Sequence, residues 1–316
     1  MNSISANLNI MIKASEKASK VLIRDFGEVE KLQVSKKGPL DFVTNSDIKA
    51  EKIIIEELKK ARPSYSVISE ENGIEINDDK NNTWIIDPID GTINFLHGIP
   101  HFAISIALKT GNEIVSGLIY DPIKDEMFFA EKNNGSFQNN QRIRVSSKID
   151  IDDCLFVTGG KIDKDYNFSY RKSGCAALDL AYVASGRYDG CFQNNLSLWD
   201  VAAGIILIKE AGGIINDIDL NKKENIKIIA SSSNISAKLE EKLETNNKYN
   251  LDNKVIDHLQ NKYSNIIKIN TDMFENITIT STDMLASERG LAYPFIVPSF
   301  PIITSDDRLD YGSKLN

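Results

Sequence analysis

The sequence predicts a mixed α/β chain of the α+β kind, and two observations carry this. Amphipathic helical periodicity at the N-terminus and two Ala/Gly/Ile-rich helical stretches in the second half bracket a run of short apolar segments separated by turn residues. The composition, 41% hydrophobic and 26% charged, is that of a folded globular chain and excludes collagen-like, disordered and disulfide-scaffold classes. At roughly 150 residues per domain, the 316 residues allow two domains or one large two-part domain with a sizeable core.

In chain order, Ile4, Leu8, Met11, Ile12, Ser15, Ala18 and Leu22 recur at helical spacing, with Gly27 as a stop. A second helix is expected over 46–60, its apolar face formed by Ile48, Ile54, Ile55 and Leu58, closed by Arg62-Pro63. Short β-rich runs follow at 65–69 and 84–87. Runs at 101–108, 114–120 and 127–131, punctuated by Asn133-Asn134-Gly135 and Asn139-Asn140, predict an antiparallel meander. Helices are expected over 175–185, ended by Gly186, and over 199–211, ended by Gly212-Gly213. A strand over 226–231 and a helix over 235–243 complete the regular pattern. Beyond 244 the chain is rich in Asn, Asp, Lys and Ser, then carries an apolar run at 293–301 broken by Pro294, Pro298 and Pro301.

The charge sum, 37 basic against 45 acidic residues, gives −8, which disfavours direct nucleic-acid binding; acids gathered in one cleft would instead attract cations. Cys154, Cys175 and Cys191 show no C-x-x-C spacing, which fits a reduced compartment. With no apolar signal region and no membrane-length apolar stretch, a cytoplasmic location without membrane association is expected.

The most informative segment is Trp84-Ile-Ile-Asp-Pro-Ile-Asp-Gly-Thr92. A β-run ends at Asp87, Pro88 turns the chain, and Asp90 follows within a turn, so two carboxylates converge at a strand end as a hard cation requires. Gly91-Thr92 opens a short helical segment whose free N–H groups suit a phosphate. Glu70 stands at another strand end, while Asp47 and Asp200 stand at helix starts. Taken singly, these residues also read as turn formers and helix caps. His97, His101, Trp84 and Trp199 read as structural, and Cys175 as a small buried residue.

Glu70-Glu71, Asp87-Pro-Ile-Asp-Gly-Thr92-Ile-Asn-Phe95, Leu198-Trp-Asp-Val-Ala-Ala-Gly204 with Glu210-Ala-Gly-Gly213, and Lys36 through Asp47 resemble, in order, the signature motifs of the inositol monophosphatase family. The resemblance spans about residues 4–245. It implies an αβαβα sandwich of two sub-domains with the metal site between them, and Mg²⁺-dependent hydrolysis of a small phosphate monoester with two or three ions per site. It places Glu70, Asp87 and the Ile89 carbonyl on one metal, and Asp87, Asp90 and Asp200 on a second. Asp47 and Thr92 position the attacking water and Glu70 helps deprotonate it, while Gly91 and Thr92 N–H groups orient the phosphate. Substrate contacts fall on Asp90, Asp200, the loop Gly174-Cys175-Ala176, and Gln193, where the family commonly has Glu; the amide accepts a hydroxyl hydrogen bond without the charge that strengthens it.

The expected division is therefore a family domain over 1–245, shortened between Gly160 and Tyr170, and an unmatched extension over 246–316. Inositol-1-monophosphatase activity leads the expectations, and a homodimer is expected. Fructose 1,6-bisphosphatase activity is an alternative, with Arg171 and Lys172 near the sugar loop, and nucleotide 3′-phosphatase activity another. A reading of a different class is a non-catalytic partner of the bacterial transcription antitermination machinery.

Overall fold

The computed structural model describes residues 4–26, 34–38, 41–159, 166, 168–245, 267–270, 278–281 and 295–296. Helices α1 (Ala6–Phe26) and α2 (Asn45–Ala61) fall on the predicted segments, burying Leu8, Met11, Ala18 and Leu22 from one and Ala50, Ile54 and Leu58 from the other, whereas Ile4 and Ile48, expected on the apolar faces, are exposed. Between them lies an antiparallel hairpin, β1 (Val34–Gly38) and β2 (Asp41–Thr44). A capping box starts α2: the Thr44 side chain accepts from the Ser46 and Asp47 amides, and Asp47 Oδ2 accepts from the Thr44 amide at 2.8 Å.

The large sheet contains β3 (Tyr65–Ser69), β4 (Gly73–Glu75), β5 (Asp79–Asp90), β6 (Ala103–Thr110), β7 (Glu113–Asp121), β8 (Glu126–Glu131), β9 (Gly135–Gln138) and β10 (Gln141–Arg142), in the order β10-β9-β8-β7-β6-β5-β3-β4. From β5 to β10 each strand pairs antiparallel with its neighbour in sequence, as the turn signals predict. Strand β3 pairs parallel with β5, so their carboxyl ends lie side by side.

Alternation along the strands gives the sheet two apolar faces. Trp84, Ile86, Ile104, Ile106 and Leu118 pack with α1 and α2. Ile85, Ala103, Ala107 and Ile119 pack with α4 (Ala176–Ala184) and α5 (Leu198–Glu210). Helix α5 is buried almost all round, the pattern of a helix covered by sheet on both sides. Its second cover is a five-stranded sheet ordered β12-β11-β13-β15-β14, from β11 (Leu155–Thr158), β12 (Ser169–Lys172), β13 (Gly190–Leu196), β14 (Gly213–Ile215) and β15 (Ile226–Ser232). A short α3 (Thr92–Leu96) follows β5, and α6 (Ser236–Thr245) follows β15.

The expected αβαβα sandwich of two sub-domains is corrected here. The fold is mixed α/β, with a central sheet that winds through β5 to β10 in chain order, but no closing helical layer stands beyond the five-stranded sheet among the described residues. The physical reason lies in chain length. Strands β11 and β12 run parallel, a pairing usually joined by a crossover of a dozen or more residues, whereas ten residues, 159–168, separate Thr158 from Ser169. Of α6, Leu239 is the one buried hydrophobic residue among its described side chains. Residues 1–239 form a single compact unit, so the acidic site lies within one unit and not between two sub-domains.

Residues 240–316 form a second unit, in which β16 (Ile267–Asn270), β17 (Thr278–Ser281) and β18 (Phe295–Ile296) pair as an antiparallel sheet. The stop at Gly27 and most of the proline-broken run at 293–301 lie outside the described residues. No helix among the described residues is long and apolar enough to cross a membrane.

Candidate active site

Strand β5 builds the centre of the site. Its pairing with β6 shifts register between Asp87, opposite Ser105, and Asp90, opposite Ala103, so one extra residue bulges at Pro88-Ile89. Residues three apart on a regular strand point to opposite faces; the extra residue brings Asp87 and Asp90 to the same side. The Ile89 amide donates to Asp87 Oδ1 at 2.9 Å and holds the bulge. The parallel register Ser69 to Ile86 then sets Glu70 beside Asp87, with the Glu70 amide donating to Ile86 O at 3.2 Å.

Gly91 turns the chain from β5 into α3 at φ +93°, in the left-handed region. A Cβ there would stand 3.1 Å from His101 O and 3.2 Å from Cys175 Cβ, so glycine is required both by conformation and by space. The turn carries Thr92, whose hydroxyl donates to Ile89 O at 3.0 Å and lies 3.4 Å from Asp47 Oδ1. Asp200 arrives from the first turn of α5, with Oδ2 accepting from the Ser197 amide at 2.7 Å. Asp47 and Asp200 both cap helices through Oδ2, so the capping reading holds for each, and Asp200 also lines the cavity described below.

One cavity of about 220 Å³ gathers Glu70, Asp87, Ile89, Asp90, Gly91, Thr92, Gly174, Cys175, Ala176, Gln193 and Asp200. Asp47 is not among its lining residues and reaches the site through Thr92. The loop from β12 to α4 closes over Asp90, one of whose oxygens accepts from the Ala177 amide and, at 3.1 Å, from Cys175 Sγ. Asn94 clamps this loop to the β5 turn, donating to His101 O at 2.8 Å and Ser173 O at 2.9 Å.

Three lining residues, Asp179, Gly159 and Leu196, were missed by sequence reasoning, and the first two bear on Gln193. Asp179 accepts from Ser173 Oγ and, at 2.6 Å, from Gln193 Nε2; a charge within an Ala/Leu helix was the signal that could have found it. Gly159 is the other: a Cβ there would come within 2.5 Å of Gln193 Oε1, and nothing in its sequence context announces this. Gln193 therefore spends its amide N–H on Asp179, leaving Oε1 as the acceptor beside the cavity, and a glutamate there would face the Asp179 carboxylate.

The electrostatics of this arrangement are those of buried carboxyls, with like charges adding to the effect at Asp87 and Asp200. Asp87 is held well above the usual carboxylate range, first by burial and then by the charges of Glu70, Asp90 and Asp200. Burial pushes Asp90 up to about 6, against the hydrogen bonds from Ala177 and Cys175. Burial and the Asp90 charge push Asp200 up to about 8. Burial raises Asp47 to about 6, partly offset by Thr44. By exposed area Asp90 and Asp200 are only half-buried, because the cavity itself admits solvent to them, and that water softens the cost of their charge.

The donor chemistry fits a hard divalent cation. The lining offers carboxylates and the Ile89 carbonyl, with no Lys, Arg or His among the described lining residues to neutralise them. Among the described residues no three of these side chains already converge as a closed ligand cage.

Known proteins share this arrangement of fold and motifs. The sequence profile of the inositol monophosphatase family matches residues 5–249. An inositol-1-monophosphatase of Mesorhizobium japonicum is 47% identical over 230 residues, covering 68% of this chain and 86% of that one. The Nus factor SuhB of Escherichia coli K12 is 40% identical over 225 residues, covering 66% and 84%. The crystal structure of the extragenic suppressor protein suhB from Bartonella henselae superposes with a TM-score of 0.71 at 46% identity, covering 76% of this chain and 98% of that one. The chain belongs to the inositol monophosphatase family, and its activity is that of a Mg²⁺-dependent phosphate monoester hydrolase.

Proposed function

We propose that the protein hydrolyses myo-inositol 1-phosphate, with Glu70, Asp87, Ile89 O, Asp90 and Asp200 holding two or three Mg²⁺ ions. The observation that carries this reading is the β5 bulge, which turns Asp87 and Asp90 to one side of the strand, within a cavity they share with Glu70 and Asp200. Bound there, Mg²⁺ supplies Lewis-acid activation of the attacking water and neutralises charge on the leaving oxygen.

The chain's own residues do the positioning. Thr92 and Asp47 form the pair that orients the nucleophile: the Thr92 hydroxyl can donate to Asp47 Oδ1, leaving its oxygen to accept from water, and Ile89 O would be free to join the carboxylates in holding a cation. Glu70, beside Asp87, takes the proton that the water releases. Gly91 and Thr92 amides at the start of α3 receive the phosphate oxygens. Cys175, Ala176 and Gly174 bring backbone and small side chains close to the alcohol part of the ester, and Gln193 Oε1 accepts from one of its hydroxyls. A homodimer forms part of this proposal, supported by the family resemblance.

The test is phosphate release from purified protein with Mg²⁺, comparing inositol 1-phosphate, fructose 1,6-bisphosphate and a nucleotide 3′-phosphate. A kcat/KM highest for inositol 1-phosphate supports the reading; preference for the bisphosphate would move the emphasis to Arg171 and Lys172 of β12. The likeness to a Nus factor favours a second reading, a partner of the transcription antitermination machinery. Capture of RNA polymerase factors together with silent phosphatase assays would support it.

A further inference from the structure

Helix α2 carries a second buried acid that no motif above includes. Glu51 lies four residues beyond Asp47, on the same face of the helix, and both are fully buried. Asp47 meets Thr92, whereas Glu51 reaches the chain immediately after Glu70. Its Oε2 accepts from the Glu71 amide at 2.9 Å and its Oε1 from the Asn72 amide at 2.9 Å, with the Asn72 side chain donating to Oε1 as well. A buried carboxylate is costly unless its oxygens are satisfied, and here both oxygens are satisfied by N–H donors of one turn.

The turn has a second anchor on the opposite side, the Glu70 amide on Ile86 O. Glu70 is thus held between β5, which carries Asp87 and Asp90, and α2, which carries Asp47. We propose that Glu51 is a positioning residue for metal binding: it fixes the 70–72 turn so that the Glu70 carboxylate stays at the cavity, and α2 sets the Glu70 turn and Thr92 in register through Glu51 and Asp47. This rests on the reading of Glu70 as a metal-holding residue.

The experiment is a double-mutant cycle read by calorimetric titration of Mg²⁺ into the full chain without substrate, with the thermal unfolding midpoint measured in chelator. Glu51→Gln keeps the shape but sets an NH₂ group against a backbone N–H. It is expected to weaken Mg²⁺ binding by about tenfold, the lower end of what losing an outer hydrogen-bond partner costs a metal site. Glu70→Gln is expected to weaken it at least as much, and Glu51→Gln added to Glu70→Gln should weaken it no further, because the first acts through the second. Should Glu51→Gln be insoluble, Glu51→Asp, which keeps the charge and withdraws the oxygens by one methylene, is read in the same way. Unchanged Mg²⁺ affinity in the Glu51 variant, or losses that add in the double variant, overturn the proposal while leaving Glu70 in place. Unchanged affinity in Glu70→Gln overturns both.

Discussion

Without divalent cation, the protein is expected to lose stability as the pH rises from 5 to 8. The folded state raises the pKa of Asp47 to about 6 and of Asp200 to about 8, chiefly by burial, and holds Asp87 high by burial and neighbouring charge. A carboxyl with a raised folded pKa keeps its proton where the unfolded chain has released it. Stability is therefore full below the unfolded value near 4 and declines as pH passes through the folded value. A tenfold gain in proton affinity on folding is worth about 1.4 kcal/mol. For fully buried Asp47 the gain is roughly a hundredfold, or about 3 kcal/mol, of which about half falls above pH 5. Asp90 and Asp200 border a cavity that admits water, so each contributes less than a fully enclosed carboxyl would, and a total loss of about 2–4 kcal/mol is expected between pH 5 and 8. His101, lowered mainly by burial, works in the opposite sense up to its unfolded value but is a single half-buried group.

Urea unfolding in chelator at pH 5, 6, 7 and 8 measures this directly, and the midpoint should fall along the series. Repeating it with saturating Mg²⁺ should flatten the trend, because a cation stabilises the ionised carboxylates that protons no longer neutralise. A midpoint in chelator that is constant or rises from pH 5 to 8 would refute the claim that burial, helped by neighbouring charge, keeps these acids protonated in the folded state.

Two further predictions concern the β5 turn and the end of the chain. Gly91→Ala forces a side chain into the left-handed region and against His101 O and Cys175 Cβ, so it should cost about 1–3 kcal/mol in denaturant unfolding and lower kcat by about 100-fold through displacement of the turn. A chain ending at Asn246 should stay soluble and keep the phosphatase activity of the full chain, since every proposed ligand lies before residue 201; aggregation on sizing chromatography or lost activity would show that residues 247–316 support the catalytic unit.

Much of the fold was open to sequence reasoning where periodicity is long. Helices α1, α2, α4 and α5 and the meander strands β6 to β8 fall on the predicted segments because each repeats an apolar pattern over several turns or strands. The second sheet was harder. Strand β11 has four residues, β14 has three, and β13 passes through Gln193-Asn194-Asn195 with no alternation to mark it. The layer count was misjudged for a related reason: a resemblance carries over the layers of a family, but the short connection between β11 and β12 and the sparsely buried α6 are properties of this chain.

For the site, the acids were visible because Asp-Pro-Ile-Asp-Gly-Thr is dense in functional groups, yet the bulge that makes Asp87 and Asp90 neighbours appears only in the register with β6. Glu51 escaped notice because a single acid on a polar helix ordinarily reads as solvated and only packing shows it buried, whereas Asp179 was marked in the sequence only as the one charge in the apolar run of α4.

The most direct test is Mg²⁺-dependent phosphate release from inositol 1-phosphate by the Asp90→Asn protein. Asparagine keeps the size of the side chain and an oxygen to accept from the Ala177 amide, but removes a charge from the cavity. If the crowded carboxylates exist to hold Mg²⁺ at the scissile phosphate, kcat should fall by about 10²–10³-fold or more at saturating Mg²⁺ while the unfolding midpoint in chelator is maintained or raised. Near-native turnover by Asp90→Asn at saturating Mg²⁺ would contradict the account, leaving Asp90 as a turn residue braced by Ala177 and Cys175.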